Sequence, residues 1–251
     1  MTNAISLQNV SVAYRSYKEW PSTLKETILR FLTQGKLKHY STFDALSHIN
    51  LEIEAGTTVA LIGSNGSGKS TLLKVIAQVL EPSSGSISVR GTIASLIELG
   101  VGFDPELNAI ENIYLNGSLH KKSKKELVNR IPHIIDFAEL HEFVNTPIKY
   151  YSSGMAARLG FSAAMDINPD ILLVDEILAV GDERFQQKCN GVFERFLKEK
   201  KTVILVSHDL SMVQHLAQRA ILLSKGKIIF DGAPSEAIRL YRDGSYQAAL
   251  Q

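Results

Sequence analysis

Residues 63–70 carry the pattern with the clearest chemistry in this chain. They read Gly63-Ser64-Asn65-Gly66-Ser67-Gly68-Lys69-Ser70 and fit G-x-x-x-x-G-K-[ST], directly after the apolar stretch 57–62. Glycines let the backbone wrap around an anion, so that successive N–H groups and the dipole of the following helix point at phosphates. Lys69 would reach the β- and γ-phosphates, Ser70 would offer its hydroxyl to Mg²⁺, and Thr71 completes the predicted loop. Many families share this loop, so it predicts nucleotide binding and leaves the reaction open.

A second chemical pattern is the apolar run Ile171-Leu172-Leu173-Val174 followed by Asp175-Glu176. A strand in a sheet that is covered on both faces can be apolar throughout. Acids at its C-terminal end would lie where ligands bind in open α/β sheets. We therefore predict that Asp175 holds Mg²⁺, directly or through water, and that Glu176 polarises an attacking water. Taken alone, the same segment also fits a strand that ends in a solvated acidic turn.

Strands that alternate with helices must position these residues. Strand patterns cover residues 5–14, 46–54, 57–62, 86–90, 171–175 and 202–207, and residues 220–224 and 227–231 predict a hairpin. Residues 103–165 are mainly helical, and residues 15–44 predict an insertion with a short amphipathic helix at 24–32. That helix would dock on a partner or pack on its own domain. The alternation favours an α/β fold with a largely parallel sheet and helices on both faces.

Composition excludes several classes of protein. The 251-residue chain has a formal net charge of +1, a poor footprint for a nucleic-acid-binding protein, so we predict no nucleic acid partner. Its single cysteine, Cys189, cannot form an internal disulfide, which favours a reducing compartment. No stretch approaches the ~20 uninterrupted apolar residues of a membrane span, and the N-terminus lacks the pattern of a secretory signal. A membrane role would therefore come through a partner.

The order of the motifs points to a known family. The chain carries the phosphate loop, then Tyr151-Ser152-Ser153-Gly154-Met155, then Asp175-Glu176, then Ser207-His208-Asp209. This order resembles the nucleotide-binding subunit of ATP-binding cassette (ABC) transporters, and the resemblance covers about residues 5–241. The fold it implies is a P-loop NTPase ABC cassette with a RecA-like core, a small antiparallel β subdomain and an inserted helical subdomain, in one nucleotide-binding domain.

The resemblance also implies an activity and residue roles. It implies an ATPase that uses ATP and Mg²⁺, in which Glu176 matches the catalytic glutamate. His208 matches the family's histidine that contacts the γ-phosphate and orients water. Tyr14 matches the aromatic residue that stacks on adenine. Without the resemblance, a lone histidine or a tyrosine at a strand end is more often structural.

Residues 151–155 stand where most members of the family carry Leu-Ser-Gly-Gly-Gln, and Ser152 and Gly154 are kept. Ser152 or Ser153 can cap a helix there, whose N-terminal amides then form an anion site. In the family this segment touches the γ-phosphate of ATP held by the opposite subunit. The resemblance therefore implies a homodimer closed by ATP, with Ser152, Ser153 and Gly154 in the nucleotide site. An ordinary Ser-capped helix is the alternative, and Asp182 occupies the place of the family's inter-subunit loop.

The family's loop glutamine, a Mg²⁺ ligand, has no counterpart in residues 97–105. Glu98 is the best substitute if the alignment shifts by one residue, since a carboxylate can bind Mg²⁺ directly or through water. Without that shift Leu99 stands at the glutamine position, and this position cannot bind Mg²⁺. Both alternatives remain open from the residues.

Departures from the common family pattern in residues 98–103, 152–159 and 175–182 resemble the bacterial subgroup that exports cell-surface polysaccharides. This implies ATP-driven export of a lipid-linked, O-antigen-like polysaccharide across the bacterial inner membrane. The implied partners are a second copy and a polytopic membrane permease dimer that handles the lipid-linked glycan, with the ATPase peripheral on the cytoplasmic face.

Alternatives to this cargo and this function stay open. Capsular polysaccharide and teichoic acid are the alternative cargoes. A non-transport ABC ATPase and a small-molecule phosphotransferase are the alternative functions. We also expect no C-terminal carbohydrate-binding domain, because no β-sandwich pattern follows the last predicted helix, at about residues 235–241.

Overall fold

Strands and helices alternate along most of the chain. The computed structural model describes residues 2–17, 40–96, 102–120, 122–175, 181–207 and 209–244. Its strands are β1 (Asn3–Tyr17), β2 (Tyr40–Glu54), β3 (Thr58–Ile62), β4 (Ser84–Val89), β5 (Ile93–Ser95), β6 (Ile171–Asp175), β7 (Thr202–Val206), β8 (Arg219–Ser224) and β9 (Lys227–Gly232). Its helices are α1 (Lys69–Ile76), α2 (Ala109–Leu119), α3 (Lys124–Ala138), α4 (Ser153–Asp166), α5 (Glu183–Lys198), α6 (Leu210–Leu216) and α7 (Pro234–Asp243). The predicted α/β class is confirmed.

The smaller sheet is antiparallel, in the order β2-β1-β4. Ile5 and Leu7 of β1 are buried, as the two-residue period of a strand requires for one face. A bulge between Leu7 and Val10, with Asn9 at φ 51°, shifts this period by one residue. Val10 and Val12 therefore continue the same buried face.

The strands β1 and β2 extend into the predicted insertion, residues 15–44, from both ends. The β1–β2 ladder continues from Ala13 opposite Asp44 to Tyr17 opposite Tyr40. Cross-strand pairing satisfies the backbone groups of residues whose side chains show little apolar alternation. Residues 18–39, which include the predicted amphipathic helix, lie outside the described residues.

The larger sheet has the order β5-β6-β7-β3-β8-β9. Its neighbours are parallel except at the β8–β9 hairpin. All residues of β3 and β7 are buried, as are the first four of β6, because apolar side chains from both faces enter cores. Parallel strands bring their C-terminal ends to one edge, so the loop after β3, Asp175 and Ser207 lie along the same edge.

Helices α2, α3 and α4 form a separate helical cluster, with Ile113, Ile134 and Leu159 in its core. Capping boxes open two of them, Asn108 with Glu111 for α2 and Ser123 with Glu126 for α3. Two short 3-10 helices, His141–Phe143 and Ile148–Tyr150, lead from α3 to α4. None of the helices in the described ranges has the length and apolar character needed to cross a membrane.

Candidate functional site

The glycine-rich loop lies between the buried strand β3 and helix α1, as its pattern predicted. Gly63 has a φ of 150°, and a Cβ there would lie 2.3 Å from the carbonyl oxygen of Leu223. Gly68 has a φ of 110°, and its Cβ would lie 2.8 Å from the carbonyl oxygen of Ala45. Both positions exclude a side chain, because the loop folds tightly against the neighbouring backbone.

Helix α1 presents an uncapped N-terminus. Its N-cap residue is Gly68, no side-chain cap bond is found there among the described residues, and its first turn carries no acid. The first N–H groups of a helix have no intrahelical acceptor, so they can bind an anion, and the helix dipole favours negative charge there. The Lys69 ammonium bends back over the loop and donates to the carbonyl oxygens of Gly63 at 2.8 Å and Ser64 at 3.0 Å.

Ser67 adds an unusual polar group to the loop. Its hydroxyl oxygen is buried and has no hydrogen-bond partner among the described residues. Its backbone is held from both sides, since its N–H donates to Ser64 and its carbonyl accepts from the N–H of Gly226 at 2.9 Å. That second bond fixes the β8–β9 turn against the loop.

A cavity of 560 Å³ opens over this loop. This volume falls in the range of small-molecule pockets, about 300–1,000 Å³. The cavity is lined by residues of both sheets, of α1 and of the adjoining loops, namely Tyr14, Phe43, Asp44, Ala45, Asn65, Gly66, Gly68, Lys69, Ser70, Thr71, Asp175, Val206 and Lys225. The fold thus brings the predicted residues Tyr14, Ser70 and Asp175 to one site.

Aromatic residues form the far wall of the cavity. Tyr14 and Phe43 face each other across β1 and β2, with ring centroids 5.6 Å apart and ring planes inclined by 31°. Both rings remain accessible, with Tyr14 36% and Phe43 57% exposed. Apolar rings left open in a cavity fit a flat aromatic group such as a nucleobase.

Sequence reasoning missed Phe43, Asp44 and Lys225. The first two were assigned to the insertion, and Lys225 was treated only as a turn residue. Phe43 and Tyr14 are separated by 28 residues in the sequence. Only the register of β1 and β2 shows that they lie opposite each other. The signal that the sequence offered was the apolar residue Phe43, three positions before the strand pattern that begins at residue 46.

The predicted Mg²⁺ ligands that the structure describes lie together. Asp175 ends β6 opposite Val206 of β7, and it lines the cavity with Ser70. Hydroxyl and carboxylate oxygens are ligands that suit Mg²⁺, which usually keeps waters and takes further ligands from phosphates. Among the described residues no group of three or more His, Cys, Asp and Glu side chains could hold a metal by itself. Glu98, Glu176 and His208 lie outside the described residues.

The segment 151–155 opens helix α4 away from this cavity. Ser152 is the N-cap, and its hydroxyl oxygen accepts from the N–H of Met155 at 3.2 Å. Of the two serines that could cap the helix, Ser152 does so, and Ser153 becomes the first helical residue. Ser152 and Ser153 are exposed. The described lining of the cavity contains none of residues 152–154.

Comparison with known proteins identifies the family. The family model described as ABC transporter matches residues 46–179, which include the phosphate loop, the capped helix α4 and Asp175. The chain belongs to the ABC transporter family. It is therefore a nucleotide-binding ATPase subunit of the ABC type, as its motif order predicted.

ABC proteins with assigned export roles are similar over most of the chain. The O-antigen export system ATP-binding protein RfbB of Klebsiella pneumoniae is 40% identical over 96% of this chain and 98% of its own length. The teichoic acids export ATP-binding protein TagH of Shouchella clausii is 39% identical over 97% of this chain and 66% of its own length. The predicted resemblance to this branch of ABC proteins is confirmed.

The ABC fold is confirmed by solved structures. A dimeric ATP-binding cassette in a post-hydrolysis state, bound to ADP and Pi, matches with a TM-score of 0.69. It is 24% identical and covers 92% of this chain and 98% of its own. At this identity the match establishes the fold of the chain.

Proposed function

We propose that this protein hydrolyses ATP to drive export of a cell-surface polysaccharide of the O-antigen type through a membrane permease. The observation that carries the ATPase part is the 560 Å³ cavity, where the uncapped start of α1, Lys69, Asp175 and two aromatic rings converge. The cargo is proposed from the relatives, which are named for O-antigen and teichoic acid export. The TagH relatives make teichoic acid the second candidate cargo.

Binding of the triphosphate would use the loop and the start of α1. The first-turn N–H groups and Lys69 would hold the phosphates, while Tyr14 and Phe43 would hold the base. Ser70 and Asp175 would hold Mg²⁺, with Glu98 as a further candidate ligand. Mg²⁺, when bound, would neutralise charge on the phosphate oxygens.

Hydrolysis would depend on placement of water and on charge stabilisation. We assign Glu176, which follows Asp175 in the chain, the role of positioning or deprotonating the attacking water. His208 would donate a hydrogen bond to the γ-phosphate. Ser207 precedes it, and the hydroxyl oxygen of Ser207 accepts from the N–H of Asp209 at 3.0 Å, which turns the chain beside this position.

A second copy of the chain would complete each site. The N-terminus of α4 offers the Ser152 hydroxyl and the backbone N–H groups of Ser153 and Gly154, and it does not line the cavity of its own chain. Facing two copies head to tail would place this corner on the γ-phosphate bound by the partner. ATP would then favour the closed dimer, and hydrolysis would release it.

A permease would dock on the helical cluster at the cytoplasmic face of the inner membrane. Leu115 and Leu119 of α2 are one helical turn apart and exposed, and Val128 of α3 is also exposed. Exposed apolar side chains grouped on one cluster are typical of contact surfaces. We assign this surface to a polytopic permease dimer, which would handle the lipid-linked glycan.

Replacing Glu176 by Gln tests the catalytic assignment. Glu176→Gln should abolish steady-state ATP hydrolysis while ATP still binds, because the amide cannot act as a base. Glu194→Gln, which removes an exposed carboxylate on α5, is the matched control and should keep full activity. Unchanged turnover in Glu176→Gln would exclude the assigned role.

The dimer and the cargo need separate measurements. Glu176→Gln should dimerise with ATP in light scattering, and a strictly monomeric protein with ATP, alone and with its permease, would exclude the shared site. In bacteria that carry this allele, the surface polysaccharide should be lost while its lipid-linked precursor accumulates inside. Loss of surface teichoic acid instead would identify teichoic acid as the cargo. If neither polymer were lost from the surface, the proposed export function would be excluded.

A further inference from the structure

Three helices, α3, α4 and α5, meet along the side of α4. The end of α3, the second half of α4 and the start of α5 each contribute one phenylalanine, namely Phe137, Phe161 and Phe185. The rings of Phe137 and Phe161 are stacked with centroids 6.0 Å apart, and Phe185 meets them edge-on at 5.6 Å and 5.9 Å. Phe185 of α5 therefore contacts both other rings. An apolar contact therefore joins the helical cluster to a helix of the main sheet.

A charged network covers this aromatic contact. Arg158 of α4 donates to the Asp182 carboxylate at 2.5 Å, and it lies 3.5 Å from the Glu139 carboxylate. Lys188 of α5 donates to the same Glu139 carboxylate at 2.6 Å and to the carbonyl oxygen of Phe137 at 3.3 Å. We call Glu139, Arg158, Asp182 and Lys188 the junction network. It links the C-terminal end of α3, the side of α4 and the N-terminal end of α5.

Glu139 occupies a backbone conformation that is unfavourable for a residue with a side chain. Glu139 is the C-cap of α3 and has a φ of 58° and a ψ of 45°. Glycine is the residue that this left-handed conformation favours at the end of a helix. A glutamate here places its carboxylate between cations of α4 and α5, with Arg184 also 3.7 Å away.

The segment before α5 passes close to Arg158. Gly181 has a φ of 75°, and a Cβ there would lie 3.2 Å from the Nε atom of Arg158 and 3.2 Å from the Cβ of Phe185. Asp182 follows as the N-cap of α5, and its other carboxylate oxygen accepts from the N–H of Phe185 at 2.9 Å. Arg158 therefore holds both the start of α5 and the chain that leads into it.

We propose that Glu139 and Arg158 are positioning residues that lock the N-terminus of α4 to the segment at Gly181 and Asp182. Arg158 lies six residues after Ser152, about 9 Å along the helix. A fixed Arg158 thus fixes the Ser152 corner and the 181–182 segment as one surface, which the partner subunit would meet as a unit. This inference rests on the proposed ATP-closed dimer.

Variants that break contacts of α3 with either part of α4 separate this role from simple packing. Arg158→Gln and Glu139→Gly remove the junction network, and the glycine also relieves the left-handed backbone at position 139. Arg130→Gln is the matched control, because Arg130 links α3 to the opposite end of α4 by bonds of 2.8 Å and 3.0 Å to the Asp166 carboxylate. All three are made in the Glu176→Gln background, and thermal melting checks that each one folds.

Two readouts decide the outcome. Nucleotide affinity of the monomer should stay within about twofold of the parent for every variant, whereas ATP-dependent dimerisation should weaken by about tenfold or more in Arg158→Gln and Glu139→Gly only. Equal dimerisation of these two variants and the parent would overturn the inference, as would an equal loss in Arg130→Gln. A parent that stays monomeric with ATP overturns the proposed dimer and this inference together, so the two failures are distinguishable.

Discussion

The two aromatic residues proposed to hold the base show how the role of a single side chain depends on its neighbour. Tyr14 and Phe43 are paired across β1 and β2, and both residues keep a large exposed fraction in the described structure. Lys225 joins the same cavity because its turn is tied to Ser67 by the N–H of Gly226. An aromatic pair offers a base more contact area than one ring alone.

Removal of the second ring should weaken nucleotide binding selectively. Phe43→Ala should lower ATP affinity by about 2- to 10-fold, which corresponds to about 0.5–1.5 kcal/mol for an aromatic contact. Its affinity for inorganic tripolyphosphate should not change, because that ligand has no base. Titration calorimetry measures both, with Phe143→Ala, an exposed ring outside the cavity, as the control. An equal loss for tripolyphosphate would contradict base stacking.

At the scale of elements, the helices differ in whether a side chain caps their N-terminus. Side chains cap five helices of the described chain, with Asn108, Ser123, Ser152, Asp182 and Asp209 as the N-cap residues of α2 to α6. Helix α1 starts at Gly68 without such a cap. Side-chain caps satisfy N–H groups from within the chain. Helix α7 also lacks such a cap, but it opens on Pro234, which has no N–H to satisfy. Of the two described α-helices without a side-chain cap, α1 is the one whose first turn lines the cavity, where it is left to bind a phosphate.

Helix α2 depends on one buried amide. Asn112 is fully buried, and its side chain accepts from the N–H of Asp104 at 2.7 Å and donates to the carbonyl oxygens of Asp104, Leu107 and Asn108 at 3.0 Å. This amide holds the chain that enters the helical cluster against the first turn of α2.

Truncation of that amide should destabilise the protein measurably. Asn112→Ala leaves buried backbone groups without partners and should lower the free energy of unfolding by about 1–3 kcal/mol. Urea unfolding followed by circular dichroism gives this value. Asn129→Ala, at an exposed position on α3, is the control and should change it by less than about 0.5 kcal/mol. If Asn112→Ala also changed the free energy of unfolding by less than about 0.5 kcal/mol, the hydrogen bonds of the Asn112 amide would not support α2.

At the scale of the whole molecule, the helical cluster and the main sheet are joined at Glu139. The pKa of the Glu139 carboxyl lies below its usual value of 4.5, chiefly because Lys188 donates a hydrogen bond to it. A lowered pKa in the folded state means that ionised Glu139 stabilises the fold above pH 4.5. This contribution is lost as the pH falls through the folded-state pKa.

The junction should therefore show a defined acid dependence. Glu139→Gln should lower the free energy of unfolding by up to about 1 kcal/mol near neutral pH, as expected for a partly exposed ion pair. The difference from the wild-type protein should shrink as the pH falls below 4.5 and through the folded-state pKa, where the wild-type carboxyl takes up a proton. Chemical unfolding at several pH values measures it, and a difference that is constant with pH would contradict the charge-based role.

Local patterns in the sequence were sufficient for much of the site. The glycine loop, the strand before Asp175 and the Ser152 cap are set by residues within a few positions of each other, and steric limits and strand or helix periods act over that range. The motif order also indicated the ABC family, which the comparisons confirm. The pair Tyr14–Phe43 was only half predicted, because its second ring was placed in the insertion.

The sequence by itself therefore determined the glycine loop after β3, the acid at the end of β6 and the family to which the chain belongs. Tertiary structure alone decided which distant residues share a surface, as with Phe43 beside Tyr14 and Glu139 between Arg158 and Lys188. The physical reason is that these contacts depend on strand register across a long insertion and on the packing angle of three helices. Such long-range geometry leaves no periodic trace in the residues that it brings together.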